Sequence, residues 1–202
     1  MQVNDSNHAR LRQSLAGLVL AAGPSSRLGQ PKQLLLYRGQ TLVERAVIQA
    51  AEFCGAGIVV VTGAKSEQVA EALVGASVEI VNNPNWVEGM SSSVRIGLQH
   101  LDSKCRGVML MLCDQPAINR DDLYSLASAW ISKPELIAAA EYAGIRGVPA
   151  IFPMSYRKEL MALEGDRGGR KIIADAEHVT VVKMPHAAFD IDTPNNLKDL
   201  YA

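Results

Sequence analysis

Leu15-Ala16-Gly17-Leu18-Val19-Leu20-Ala21 runs directly into Ala22-Gly23-Pro24-Ser25-Ser26-Arg27-Leu28-Gly29-Gln30-Pro31-Lys32. The first seven residues are apolar without alternation, bounded by polar chain before and a Gly-Pro loop after, which is the pattern of a strand buried on both faces. The loop that follows carries two cations. In an open parallel sheet, ligands bind beyond the carboxyl ends of the strands, where the strand order reverses, so a charged loop at this place marks the site as well as the fold.

Working outward, Thr41 to Phe53 reads as a helix, with Thr41 and Glu44 spaced as a capping box and Gly55 and Gly57 closing it. Ile58 to Val61 is a β-branched strand, Ser66 to Val74 a helix, and Val78 to Val81 a short strand. A polar stretch from Asn82 to Met90 feeds a helix over Ser91 to Leu101. Val108 to Leu112 is another buried strand, ending abruptly at Cys113-Asp114-Gln115-Pro116, and Asn119 caps a helix over Arg120 to Ile131. Strands are read at Leu136 to Tyr142, Val148 to Phe152 and Val179 to Lys183. Ser155 to Leu163 reads as a helix, Gly165 to Arg170 as a charged glycine-rich loop, and Thr193-Pro194 as the opening of a terminal helix. Alternation of this kind predicts an α/β fold of three layers with a mostly parallel, doubly wound, Rossmann-like sheet. Residues 1–14 form a polar N-terminal tail and 15–202 a single domain in this reading.

The chain has 202 residues, 48% of them hydrophobic, enough for one sizeable core. A formal charge of -1 argues against wholesale nucleic-acid binding, which rests on many Lys and Arg contacts to phosphate. No apolar run approaches a membrane span and no leader is visible, and Cys54, Cys105 and Cys113 lack C-x-x-C spacing. These features point to reduced thiols and a cytoplasmic location, with neither membrane nor nucleic acid as partner. His8, His100, His178 and His186 form no zinc ligand set.

Three polar clusters sit immediately after buried strands. In the first, Gly23 lets backbone approach an anion, Ser25 and Ser26 add hydroxyls, and Arg27 and Lys32 add charge, a combination suited to a triphosphate. The loop is neither a Walker A, since no Lys-Ser/Thr follows Gly29, nor the dinucleotide fingerprint G-x-G-x-x-G. The second cluster is Asp114, a hard oxygen ligand suited to Mg²⁺, or a turn aspartate before Pro116. The third is Asp190-Ile191-Asp192-Thr193-Pro194, where alternation lets one carboxylate face the metal while the other caps the last helix. Further candidates are Asn83 with Ser91 to Ser93 for base or ribose, Arg167 and Arg170 for a phosphate or polar ring edge, and Trp86 and Met90 as pocket wall.

The run from Leu20 to Lys32 resembles the L-A-A-G-x-S-x-R-[ML]-G-x-x-K signature of sugar-nucleotide-pyrophosphorylase-like nucleotidyltransferases. With Asn83-Pro84-Asn85-Trp86, Gly89-Met90-Ser91-Ser92-Ser93, Asp114-Gln115-Pro116, Gly147-Val148-Pro149-Ala150, Phe152-Pro153, Gly165-Asp166-Arg167-Gly168-Gly169-Arg170 and the late Asp190-Ile191-Asp192-Thr193-Pro194, the chain is similar to the molybdenum cofactor cytidylyltransferases of the MobA-like nucleotidyltransferase family. The resemblance implies a nucleotide-diphospho-sugar-transferase-like fold and transfer of CMP from CTP to molybdopterin, releasing pyrophosphate and using Mg²⁺. It implies Arg27, Lys32 and Asp114 as catalytic, with the nucleotide held by Leu20, Ala21, Ala22, Gly23, Ser25, Ser26, Arg27, Lys32, Asn83, Ser91 and Ser93. Asp114 and Asp190 take the metal, Arg167 and Arg170 take the acceptor, and a molybdenum hydroxylase or its maturation factor is a transient partner. Leu36 and Gly169 depart from the usual Pro and Ala, the second loosening the acceptor loop. Other readings are a transferase of the same fold using GTP or another phosphorylated acceptor, a non-catalytic molybdenum cofactor carrier, and a nicotinamide-dependent reductase.

Overall fold

The structure is a computed structural model describing residues 13–201. The polar tail expected over residues 1–14 lies, through residue 12, outside the described residues, as does His8. The elements in chain order are β1 (Leu15–Ala21), β2 (Leu36–Tyr37), β3 (Gln40–Thr41), α1 (Leu42–Ala51), β4 (Ile58–Thr62), α2 (Ser66–Ala72), β5 (Glu79–Asn82), α3 (Met90–Gln99), β6 (Gly107–Leu112), α4 (Arg120–Ser132), β7 (Ile137–Tyr142), β8 (Ile145–Pro153), α5 (Arg157–Met161), α6 (Arg170–Asp175), β9 (Val179–Lys183) and α7 (Pro194–Tyr201).

Seven strands form one sheet in the order β5-β4-β1-β6-β8-β7-β9, and β2 with β3 form a small separate hairpin. Every residue of β1 is buried. Leu15, Val19 and Ala21 enter the core on one face of the sheet, whereas Ala16, Leu18 and Leu20 enter the core on the other. Unbroken hydrophobicity in the sequence therefore means burial on both sides, each large aliphatic side chain contributing about 1.5–3 kcal/mol. Gly17 lies where a Cβ would approach Cys54 Sγ and Ile58 within 3.2 Å, so helix α1's exit packs close against the strand.

The chain moves outward from β1 through β4 to β5, then returns to β6 on β1's other side. All these pairings are parallel. The reversal sits between the carboxyl ends of β1 and β6, which places the Ala22–Lys32 loop beside Asp114. In the last third, β8 pairs antiparallel with both β6 and β7, and β9 returns parallel to β7. A tight turn at Ala143 and Gly144, both with positive φ, makes the β7–β8 hairpin. The sheet is thus mostly parallel with one antiparallel strand, flanked by helices.

Two of the expected caps form. Thr41 and Glu44 make a capping box on α1, and Asn119 makes one with Asp122 on α4, each cap contributing about 1 kcal/mol. Two expectations need correction. The helix read over Ser155 to Leu163 is a 3-10 turn followed by five α-helical residues, and the loop read to Arg170 ends at Gly169, with α6 beginning at Arg170. Gly169 also does not loosen its segment. A Cβ there would stand 2.5 Å from Phe152 Cζ, so the glycine accommodates a buried phenylalanine.

Candidate active site

A cavity of about 490 Å³ opens at the strand-order reversal. Its walls come from three places: Leu20 to Pro24, Arg27, Lys32 and Gln33 after β1; Leu112, Cys113 and Asp114 after β6; and Asp190 and Asp192 before α7. Trp86, Gly89, Met90, Ser93 and Asp166 close the remaining side. A groove of about 520 Å³ at the opposite ends of β4 and β5 holds His100 and Glu79, but no Lys or Arg lines it. Arg27 and Lys32 give the first cavity the cations that this groove lacks.

Lys32 is the electrostatic centre. Its ammonium donates to Asp114 Oδ2 at 2.5 Å and to Asp192 Oδ1 at 2.7 Å, while Arg27 donates to Asp192 Oδ2 at 2.9 Å. Burial alone would lower the Lys32 pKa, but the two carboxylates outweigh it and hold the amine above its ordinary value, so it stays a cation. Asp192 is pulled below the usual carboxylate range, chiefly by its hydrogen bond from Lys32. Asp114 is pushed upward by burial, with Lys32 opposing. The expectation that Asp192 caps the last helix is replaced by this pairing. The N–H groups at Asp192 and Thr193 instead donate to Asn196 Oδ1.

Asp114 Oδ1 is buried and has no hydrogen-bond partner among the described residues. An orphaned carboxylate oxygen, in a cavity that three more aspartates line, suits a hard divalent cation. Among the described residues no three acidic, His or Cys side chains converge on one point, so such an ion would take its remaining ligands from substrate oxygens and water.

The other sequence candidates fall into two groups. Ser25 occupies left-handed backbone at φ 54, its Oγ accepting from the Lys32 N–H at 3.0 Å, and Ser26 is exposed beside it. Asn83 is buried and lines no part of the cavity; its Nδ2 donates to Ser92 Oγ at 2.8 Å and Ser93 Oγ at 3.0 Å. Ser93 reaches the cavity wall, whereas the buried Ser91 accepts from Arg95 and donates its N–H to Gly165 O. Arg167 is exposed and lines a separate surface cavity with Glu164 and Lys171. Arg170 is exposed at the start of α6, close enough to influence Tyr142.

Residues 17–181 match the MobA-like NTP transferase domain. The chain belongs to this family. It is an enzyme of the nucleotidyltransferase class, and the strand arrangement is that of the nucleotide-diphospho-sugar transferase fold. Its relatives include nicotine blue oxidoreductase of Paenarthrobacter nicotinovorans, 32% identical over 77% of this chain and 79% of the relative. The molybdenum cofactor cytidylyltransferase of Escherichia coli is 24% identical over 89% and 91%, and a probable molybdenum cofactor guanylyltransferase of Rhodopirellula baltica is 27% identical over 91% and 90%. Among solved structures, Rv0371c of Mycobacterium tuberculosis in complex with manganese superimposes with a TM-score of 0.77, at 26% identity, covering 93% of this chain and 97% of that one.

Within the MobA-like frame, four contributors had no individual role in the sequence reading, although Gly89 and Asp166 stand within its motifs. Gln33 is 1% exposed and ties the loop together from beneath. Asp166 lines the cavity where only its arginine neighbours were expected. Gly63 draws Ala22 and Trp86 together, since a Cβ there would stand 2.6 Å from Ala22 O and 2.8 Å from Trp86 Cβ. Gly89, at φ 100, lets Gly165 and Asp166 approach to 2.6 Å of where its Cβ would be. A glycine between polar residues signals close approach only once its neighbour in space is known. Gln33, one residue past the last motif cation, carries no signal of its own.

No helix among the described residues is long and apolar enough to cross a membrane.

Proposed function

We propose that the protein transfers CMP from CTP to the terminal phosphate of molybdopterin, forming the cytosine dinucleotide cofactor and pyrophosphate. The observation that carries this reading is the cavity in which Arg27 and Lys32 face Asp114, Asp190 and Asp192, while burial pushes the pKa of the Cys113 thiol beside them up to about 12 and keeps it from serving as a nucleophile. Nucleotidyl transfer needs positioning and charge neutralisation rather than a covalent protein intermediate. An acceptor phosphate oxygen forms the new bond to the α-phosphorus, and the bond to the β-phosphate oxygen breaks, the electron pair leaving with pyrophosphate.

Arg27, Lys32 and the backbone amides around Gly23 hold the β- and γ-phosphates and offset charge building on the leaving group. Release of Lys32 from Asp192 frees the ammonium for phosphate. Asp114 and Asp190 would hold a divalent cation, Mg²⁺ in this reading, which lends Lewis-acid neutralisation of the phosphate oxygens when bound. Cytosine is favoured over guanine by the Leu20-Ala21-Ala22-Gly23 run. Relatives named for cytidylyl and guanylyl transfer give the acceptor class its support.

The test is incubation of purified protein with molybdopterin, Mg²⁺ and each of CTP, GTP, ATP and UTP, with products read by mass spectrometry. Cytosine dinucleotide from CTP alone is the expected result. Guanine dinucleotide would move the assignment to the guanylyl branch. Because one relative is named an oxidoreductase, parallel samples with NADH or NADPH added are monitored for nicotinamide oxidation; turnover there without pyrophosphate release would overturn the transferase reading.

A further inference from the structure

Each half of the site has a buried glutamine one residue beyond its charged group. Gln33 follows Lys32 and Gln115 follows Asp114, with exposures of 1% and 7%. An amide is a costly core residue unless its hydrogen bonds are met. Gln115 leaves its Oε1 buried and without a partner among the described residues, so an apolar side chain of like size would suit the core better. What both residues offer is a pair of donors.

Gln33 Nε2 donates to Ala21 O at 3.0 Å and to Gly23 O at 2.7 Å. Its Oε1 accepts from Ser25 Oγ at 3.4 Å, and Ser25 Oγ in turn accepts from the Lys32 N–H. Carbonyls on both sides of Ala22 are thus drawn inward, and the left-handed Ser25 is tied to the backbone of the lysine it precedes. Gln115 Nε2 donates to Ala187 O at 2.7 Å and to Val148 O at 3.3 Å. Val148 O also accepts from Tyr142 Oη at 3.1 Å. Ala187 belongs to the turn leading to Asp190, and the Ile191 N–H donates to Asp114 O at 2.9 Å. Gln115 therefore fixes the spacing between the Asp114 loop and the Asp190–Asp192 segment.

We propose that Gln33 and Gln115 are two independent positioning residues. Gln33 sets the backbone that receives the triphosphate, and Gln115 sets the distance between the carboxylates that would hold the cation. Both act through the main chain they grip. The inference rests on the nucleotidyltransferase reading, but its readouts need neither the base nor the acceptor to be known.

Gln33→Met and Gln115→Met remove the donors while keeping an unbranched chain of similar size. Two titrations are run on each: inorganic pyrophosphate without metal by calorimetry, and Mn²⁺ alone by paramagnetic resonance. Two lost hydrogen bonds correspond to a change of about tenfold. Gln33→Met is expected to weaken pyrophosphate about tenfold and Mn²⁺ by less than about twofold, and Gln115→Met to do the reverse. Thermal melting accompanies both. Lower melting temperatures with both affinities unchanged, or equal losses of both ligands in both variants, would overturn the proposal. If either methionine variant fails to fold, Ser25→Ala and Tyr142→Phe sever the neighbouring bonds from the surface. Each is then expected to weaken only its own side's ligand, by about two- to threefold, and an unchanged or crossed pattern would overturn the idea.

Discussion

The loop after β1 and the segment from Leu163 to Arg170 both combine glycines with cationic side chains, yet they are held in different ways. Residues 22–32 are gripped from below by Gln33, stitched by Ser25 to the Lys32 backbone, and anchored by Leu28 in a small core with Leu35, Leu42 and Ile191. The later segment is pinned by main chain: the Ser91 N–H donates to Gly165 O, Arg95 reaches Leu163 O at 2.5 Å, and Gly89 lets the strand of chain come close. Its Glu164, Asp166 and Arg167 are exposed. In the first region the lysine is locked into a network; in the second the arginines stand in solvent. A substitution should therefore change chemistry in the first and only affinity in the second.

Lys32→Ala is the sharpest way to break this contrast. It removes the one cation shared by Asp114 and Asp192, and kcat measured by pyrophosphate release should fall about 100-fold or more, the scale of losing one preorganised charge stabiliser. Wild-type turnover would remove the first region from the mechanism. A smaller effect is expected from the exposed arginines. Arg170→Ala should raise the acceptor KM by about tenfold with kcat and nucleotide KM little changed, and Arg167→Ala by about two- to threefold, because Arg170 acts electrostatically on Tyr142, which Asp114 and Asp190 also reach, whereas Arg167 lines the outer cavity. If Arg167→Ala had the larger effect, the acceptor would have to lie over the outer cavity instead. The smallest change is expected from Gly169→Ala. It should cost about 1–3 kcal/mol by overpacking Phe152, lowering the melting temperature by a few degrees per kcal/mol while leaving kcat unchanged. Phe152→Leu added to it should restore part of the loss.

Much of this arrangement is readable in the sequence. Unbroken apolar runs at β1, β4 and β6 announced a buried parallel core, and Thr41 and Asn119 announced two helix starts, because these signals are local. The charged residues after β1 and β6 followed from where a doubly wound sheet places its crevice. What stayed hidden depends on neighbours distant in sequence. The antiparallel direction of β8 is set by its pairing with β6 and β7, and the start of α6 at Arg170 by packing of Ile172 and Ile173. The partner of Asp192 is 160 residues away at Lys32, so alternation along the chain could not distinguish it from a cap. Gln33 and Gln115 are polar residues in the core whose partners are backbone carbonyls, and backbone atoms leave no mark in the sequence.

The contact of Gly169 with Phe152 reaches beyond this one chain. The ring of Phe152 occupies the space that the methyl of an alanine at 169 would need, and Leu110 Cδ2, 3.3 Å from the same point, shuts off a retreat. The two positions therefore share a fixed volume in this chain. A relative that carries the usual alanine at the place of Gly169 beside the same Phe-Pro pair must hold α6 or the ring a little further off, a displacement that superposition on such a relative can measure without any assay.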